Sequence, residues 1–465
     1  MNADSSPSIG GASLSRHEFL KRSGTGFGAL AMAAMMRPDR AEAVSSLSPL
    51  APKAPHFPAR VKRVLHVFAQ GGPSHLDTWD PKPLLNQMDG KKVPNMNGLA
   101  YGSPFRFKPR GRSGIQISEV FENIGKFADQ MTVIRSMHTD IPAHDVSTVM
   151  MNTGSLRIIK PSMGSWIVYG LGSMNQNLPG FISLRPGGNP PGASKNWNSA
   201  FLPGVYQGTS INTSIGDVSK MIANIRNPYA SLNAQRLQLD LIHKLNFKHS
   251  QNLQKNAALE SRLEAYEMAF KMQTEATEIF DVSTEPEKVR QRYAANTAQG
   301  KQMLIARRLL EKGVRFVQVW AGGWDHHTNL QTSLPARARE VDVPLAALLQ
   351  DLKDKGMLES TLVVWNGEFG RTVTNGGNAS NKGRDHNARA FSTVMIGGGV
   401  KGGTVYGETD EFGGRSVVNK VHIHDLHATI LATLGFDHKK LTYRYNGRDF
   451  RLTDNFGVVV KDIIA

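Results

Sequence analysis

VRFVQVWAGGWDHHTN, residues 314–329, decides the architecture. Its first seven residues are rich in Val, Phe and Trp and carry apolar side chains toward both faces. A strand of that kind belongs in a parallel sheet covered by helices on both sides. Gly322 and Gly323 then release the backbone, and Asp325, His326 and His327 follow at once. A core strand thus delivers a carboxylate and two imidazoles to its carboxyl end, where open α/β sheets bind ligands.

The same pattern recurs on either side. VKRVLHVFAQ (61–70) is expected as the first core strand, closed by Gly71, Gly72 and Pro73. MTVIRSM (131–137), STLVVWNGEF (360–369) and AFSTVMIGGG (390–399) are expected as further strands. Helical spacing marks ISEVFENIGKFADQ (117–130), with Ser118 as its cap, STVMMNTG (147–154), PSMGSWIVYGLG (161–172), VDVPLAALLQDLKDKGML (341–358) and VHIHDLHATILATLGF (421–436). Residues 185–230, rich in Gly, Pro, Asn and Ser, predict long surface loops, and residues 232–312 a helical insertion beside the sheet. The expectation is one α/β domain over 60–465, with a mostly parallel central sheet sandwiched by helices.

The N-terminus does not belong to that domain. SRHEFLK (15–21), the weakly apolar SGTGFGALAMAAMM (23–36) and Ala41-Glu42-Ala43 have the layout of an export signal over 1–43. The layout resembles a twin-arginine signal, with His17 where the second Arg belongs. It implies the twin-arginine export machinery as a partner and a periplasmic or extracellular location for a bacterial protein exported already folded. Residues 44–59, with four prolines, predict an extended linker. No later segment approaches about 18 uninterrupted apolar residues, so no stable membrane span is expected.

Bulk composition excludes several classes of function. The 465 residues contain no cysteine, which removes disulfides, thiolate ligands and Cys nucleophiles together. The formal net charge of +16 suits an anionic substrate or glycan. The basic residues are scattered, however, and no nucleic-acid-binding motif has its proper spacing, so no specific nucleic acid is expected. HExxH, GxSxG and Walker patterns are absent.

Polar clusters fall at strand ends. GGPSHLDTWD (71–80) offers His75 and Asp77, TDIPAHD (139–145) offers His144, and NGEFGRT (366–372) offers Glu368 and Arg371. GRDHN (383–387) adds Arg384, Asp385 and His386. Oxygen and imidazole ligands at one sheet edge point to a divalent ion, with Zn, Mn, Ca and Fe all open. The expected ligands are Asp77, Asp325, His326, His327, Glu368, Asp385 and His386. The neighbours His326 and His327 point differently, so one is expected to bind the ion and the other to contact substrate or a ligand. The histidines of HIHDLHATIL (422–431) are expected to pack or face solvent.

GGPSHLDTWDPKP, PSMGSWIVYGLG, GGWDHH, GEFGRT, GRDHN and LTYRYNGRDFRLTD together resemble the bacterial family called domain of unknown function 1501, from about Arg60 to the C-terminus. That family is grouped with the alkaline phosphatase and sulfatase superfamily. The resemblance implies a largely parallel sheet with a divalent-metal site at its carboxyl edge. HDVSTVMMNTG (144–154) is similar to the tail of the sulfatase nucleophile motif, and that alignment puts His144 where the nucleophile belongs. Asp325 and His386 match superfamily metal ligands. Glu368 stands for an Asp, and Phe369 replaces the His beside it.

Two mechanisms fit. Water ionised by the metal attacks a phosphate or sulfate ester, with His144 as base or anion contact, Arg371 or Arg384 holding the anion and His75 touching substrate. Alternatively, His144 is the nucleophile. A non-catalytic relative that binds an anionic glycan or a protein partner is the competing function.

Overall fold

The computed structural model describes residues 48–93, 97–221, 230–252, 257–375 and 382–465. Pro49–Ala465 forms one compact unit. The expected export signal lies outside the described residues. Residues 49–59 start in a turn and are docked: Leu50 is buried, the Lys53 amide donates to the Leu171 carbonyl (2.9 Å), and the Phe57 amide to that of Gly435 (3.1 Å).

Among the described residues, nine strands form the central sheet: β1 (Arg63–Phe68), β2 (Met131–His138), β3 (Phe181–Arg185), β4 (Thr209–Asn212), β5 (Phe316–Trp320), β6 (Thr361–Asn366), β7 (Phe391–Gly397), β8 (Thr404–Tyr406) and β9 (Val421–His422). Their order is β8-β2-β7-β6-β1-β5-β3-β4, with β9 also beside β2. β7 runs antiparallel to both of its neighbours; the other pairings are parallel. The expected mostly parallel sheet is therefore present.

Both faces are covered. Leu65 and Val67 of β1 pack toward α5 (Ala298–Glu311) and α6 (Leu330–Asp354). Val64 and Phe68 pack toward α1 (His144–Thr153), α2 (Met163–Leu171) and α7 (Ile423–Thr433). Each fully buried Leu, Val or Phe contributes about 1.5–3 kcal/mol, so this alternation fixes the strand register.

One row of the second face is polar. His66 Nε2 donates to Asn366 Oδ1 (2.9 Å), and Gln318 Nε2 donates to Asn152 Oδ1 (2.7 Å) and lies 3.3 Å from His66 Nδ1. Asn152 is on α1, so this buried network ties the helix that begins with His144 to the three central strands. At the other end of α1, the His427 and His424 rings donate to the carbonyls of Met151 (2.7 Å) and Gly154 (3.0 Å).

Three expectations need correction. Residues 117–130 form a short strand and two 3-10 turns instead of one helix, because Phe127 has a non-helical backbone and the buried Asp342 carboxylate takes the amides of Asn123 and Ile124. The helix expected at 341–358 begins at Leu330, with two prolines inside it. The helical block is also not all insertion. α3 (Leu232–Asn252) and α4 (Ala257–Phe280) stand at the side, whereas α5 covers the sheet itself: its Gln299 and Gln302 amides donate to the Trp320 (3.0 Å) and Leu184 (2.8 Å) carbonyls.

Candidate metal centre

β1, β5 and β6 are adjacent and parallel, so their carboxyl ends emerge together. After β1, Gly71 turns at φ +114°; a Cβ there would lie 2.7 Å from the Asp325 amide nitrogen, so the close approach of these loops requires glycine. The Gly71 N–H donates to both oxygens of the fully buried Glu368 (2.9 and 3.2 Å). After β5 comes Asp325, and a two-residue ladder pairs His386 with Arg371. The start of α1 supplies His144.

Three imidazoles aim one nitrogen outward and one inward. His144 Nδ1 donates to Glu368 Oε1 (2.6 Å), His386 Nδ1 to the Pro142 carbonyl (3.0 Å), and His327 Nδ1 to Asp385 Oδ1 (3.0 Å). These outer acceptors select the tautomer, so each neutral ring keeps its lone pair on Nε2. All three Nε2 atoms face Asp325: His386 and His327 lie 3.1 and 3.0 Å from its Oδ1, and His144 lies 3.2 Å from its Oδ2. The His327 and His386 Nε2 atoms are 3.0 Å apart. His144 Nε2 is buried without a hydrogen bond of good geometry.

Electrostatics sharpen the arrangement. Burial alone would raise the pKa of Asp325, but the Arg371 guanidinium 2.5 Å away, followed by His386 and His144, holds it well below the usual carboxylate range. Burial, followed by Arg371, pushes His386 down. Burial opposes charge on His144 too, yet the Glu368 and Asp325 carboxylates outweigh it and raise that pKa.

The donor set fits a divalent ion. Ligand atoms of His144, Asp325 and His386 all lie within 4.8 Å of one another. A tetrahedron with ion–ligand distances of about 2.1 Å has edges of about 3.4 Å, close to the 3.2 and 3.1 Å from Asp325 to His144 and His386. Each imidazole also has the outer acceptor that metal-bound histidines use.

Other expected site residues are engaged elsewhere. Asp77 is fully buried in an ion pair with Arg384 (2.7 and 3.2 Å) and also accepts from Ser74, so it is no ligand; Arg384, equally buried and 4.7 Å from the Tyr101 ring, is no substrate contact. Arg371 donates to the carbonyls of Gly71, Gly72 and Arg384 as well as to Asp325, which leaves it a positioning role. His75 is buried and donates to the Gly413 carbonyl (2.9 Å). His326 is turned inward, and burial followed by Arg371 pushes its pKa down to about 4. Glu368 and Asp385 hold imidazoles at their outer nitrogens. The sequence reading missed the Pro142 carbonyl, although Pro142 lies within TDIPAHD, and Phe369, whose ring flanks His144 (4.9 Å) and His386 (4.6 Å). Ser147, the hydroxyl nearest His144 in sequence, donates to the Ile141 carbonyl.

The family described as Protein of unknown function (DUF1501) matches residues 61–464. The chain belongs to this family. A search of curated proteins finds no match. Among solved structures, the chain is similar to the PsFucS1 sulfatase of a Pseudoalteromonas species at 13% identity and a TM-score of 0.36, over 82% of this chain and 69% of that one. It is also similar to the lipoteichoic acid synthase LtaP of Listeria monocytogenes at 8% identity and 0.36, over 87% and 78%. A third similar structure is the alkaline phosphatase of the Antarctic bacterium TAB5, at 10% identity and 0.31, over 76% and 95%.

Proposed function

We propose that the protein is an exported, metal-dependent hydrolase of phosphate or sulfate esters. One observation carries the reading: three imidazoles, each with its outer nitrogen committed to an acceptor, direct their Nε2 lone pairs at one carboxylate. Four such atoms repel one another unless a cation lies among them. A proton on His144, whose pKa the Glu368 and Asp325 carboxylates raise, relieves only one of the three imidazoles, and burial pushes His386 down. His144, Asp325 and His386 are the residues that would hold the ion, with His327 beside them. When bound, a divalent ion supplies Lewis-acid charge that polarises an ester oxygen and acidifies water.

The chain's own groups do the rest. Arg371 keeps Asp325 ionised and fixed, and Glu368 keeps the proton of His144 on Nδ1. His144 acts as a ligand in this reading, not as base or nucleophile. Phe369 forms an apolar flank that excludes water from one side. The anion is then met by the ion and by the protein's positive charge, since Arg371 and Arg384 are fully engaged.

The test is direct. Protein purified after native export is analysed for bound metals, then assayed on aryl phosphates and aryl sulfates with and without chelator. Turnover that chelator abolishes, and that Asp325→Ala loses without unfolding, is the expected result. One observation favours a second reading, a metal-holding relative that binds anionic glycans without cleaving them. The Ser147 hydroxyl, a turn beyond His144, donates to the Ile141 carbonyl and not to the cluster. Bound metal with no turnover of any ester would decide for it.

A further inference from the structure

We propose that the outer face of α3 docks the protein on an anionic lipid surface. No helix among the described residues is long and apolar enough to cross a membrane, so the contact is peripheral.

α3 packs on α4 with its polarity reversed. A helix beside a core normally turns its apolar stripe inward and its polar face to water. Here the inward face is polar. Arg236 donates to both carboxylate oxygens of Glu267 on α4 (2.9 and 2.6 Å), and His243 Nε2 lies 2.9 Å from Glu267 Oε1. Gln273 Nε2, also on α4, donates to Gln235 Oε1 (2.8 Å). Among the described residues of α3, Leu239 is the only buried side chain.

The other leucines face away. At about 100° per residue, Leu237, Leu241 and Leu245 stand roughly 120–160° round the helix from Leu239. They are 67%, 44% and 48% exposed, and the exposed Ile242 flanks them. Their spacing of four residues makes one stripe, about 12 Å long. An exposed apolar stripe rimmed by polar residues marks a surface that meets another protein or a membrane.

Charge selects between these. Lys244 and Lys248 fall on the same side of the helix as the stripe. Both are exposed, and neither has an ion pair or hydrogen bond among the described residues. Asp240 is the one acid of α3, and Arg236 holds it (2.7 Å). The free charge beside the leucines is therefore positive. A second copy would bring the same two lysines and the same formal charge of +16 to the contact, so charge opposes self-pairing. An anionic lipid surface complements both features. It takes leucine side chains into the boundary between headgroups and acyl chains, and it draws ammonium groups to its phosphates while the lysine stems lie along apolar surface.

The experiment uses the full chain and two vesicle preparations, phosphatidylcholine with about 30% phosphatidylglycerol and phosphatidylcholine alone, with binding read by co-sedimentation at about 0.15 M salt. Wild type is expected to favour the anionic vesicles by about tenfold or more. Leu237→Gln with Leu245→Gln is expected to lower that partition by about tenfold or more, and so is Lys244→Glu with Lys248→Glu. A control pair, Lys439→Glu with Lys440→Glu, makes the same charge change at exposed residues outside α3 and is expected to alter it by less than about threefold. All the altered side chains are exposed, so unfolding midpoints stay as in wild type. No binding of wild type to anionic vesicles overturns the proposal, as does equal loss with the control pair. Undiminished binding of the leucine pair also overturns it and traces the contact to the expected export signal at 1–43. A dimer in sedimentation velocity that the leucine pair dissociates puts a second copy on the stripe and overturns it too. Chelator is expected to leave vesicle binding unchanged, so failure of the hydrolase reading does not touch this one.

Discussion

Glu368→Gln tests the logic of the cluster most sharply. The carboxylate is fully buried and accepts from the Gly71 amide and from His144 Nδ1. Glutamine has the same shape but only one acceptor oxygen. Oε1 accepts from both groups, so a glutamine with its oxygen there keeps both bonds on a neutral, weaker acceptor, while its NH₂ faces the Gly71 amide at the 3.2 Å position. The reverse placement sets the NH₂ against His144 Nδ1 and forces that proton to Nε2, which removes a ligand lone pair. Loss of an outer partner of a metal-bound histidine typically lowers affinity by about 10–100-fold, or roughly 1.4–2.7 kcal/mol. The assay is a competition titration of metal against a chelating dye, together with denaturant unfolding of the metal-free protein. The expected result is weaker metal binding by that factor, whereas Asp325→Ala abolishes it. The reasoning is refuted if Glu368→Gln binds metal within about twofold of wild type while Asp325→Ala loses it.

Three further outcomes are expected. Asp77→Asn or Arg384→Met leaves its partner buried and unpaired and destabilises the fold by about 3–5 kcal/mol in denaturant unfolding, and the folded fraction keeps wild-type metal affinity. Gly71→Ala drives a methyl into the Asp325 amide, so bound metal per chain falls although the far-UV spectrum is kept. Stability of the metal-free protein falls with acid. Burial pushes His66 from 6.5 to about 4 and His427 to about 3, so both stay neutral when folded. Their stabilisation is complete above about pH 6.5 and is lost as pH falls through the folded values; for His66 alone it amounts to roughly 3 kcal/mol. Unfolding free energies that do not change between pH 7 and 4 would contradict this.

The fold was legible where chemistry is local. RVLHVF, FVQVW and TLVVWN are apolar on both faces and end in Gly or polar residues, and they form the three central strands. Asp325, His327, Glu368 and His144 are carried to the sheet edge because each stands just past such a strand or at the start of the helix that follows one, whereas Asp385 and His386 arrive there on a ladder with Arg371. Asp77 was not legible. Its position in GGPSHLD resembles that of Asp325 in GGWDHH, but its loop folds inward to an arginine 307 residues away. Arg371 likewise spends its donors on carbonyls that no spacing rule could assign to it. His326 and His327 differ in sequence by one position and in fate completely, since one backbone step turns one ring to the core and the other to the carboxylate.

The central strand has a consequence for synthesis. β1 leaves the ribosome first among the nine strands, yet both its neighbours lie beyond residue 315. At about 5–20 residues per second, RVLHVF waits roughly 15–60 s for residues 316–366, with both hydrogen-bonding edges open. Throughout that interval a strand buried from Val64 to Phe68 in the finished protein is exposed. A slow codon run before Phe316 would lengthen the exposure, and a holding chaperone that recognises alternating Val and Leu would shorten its danger.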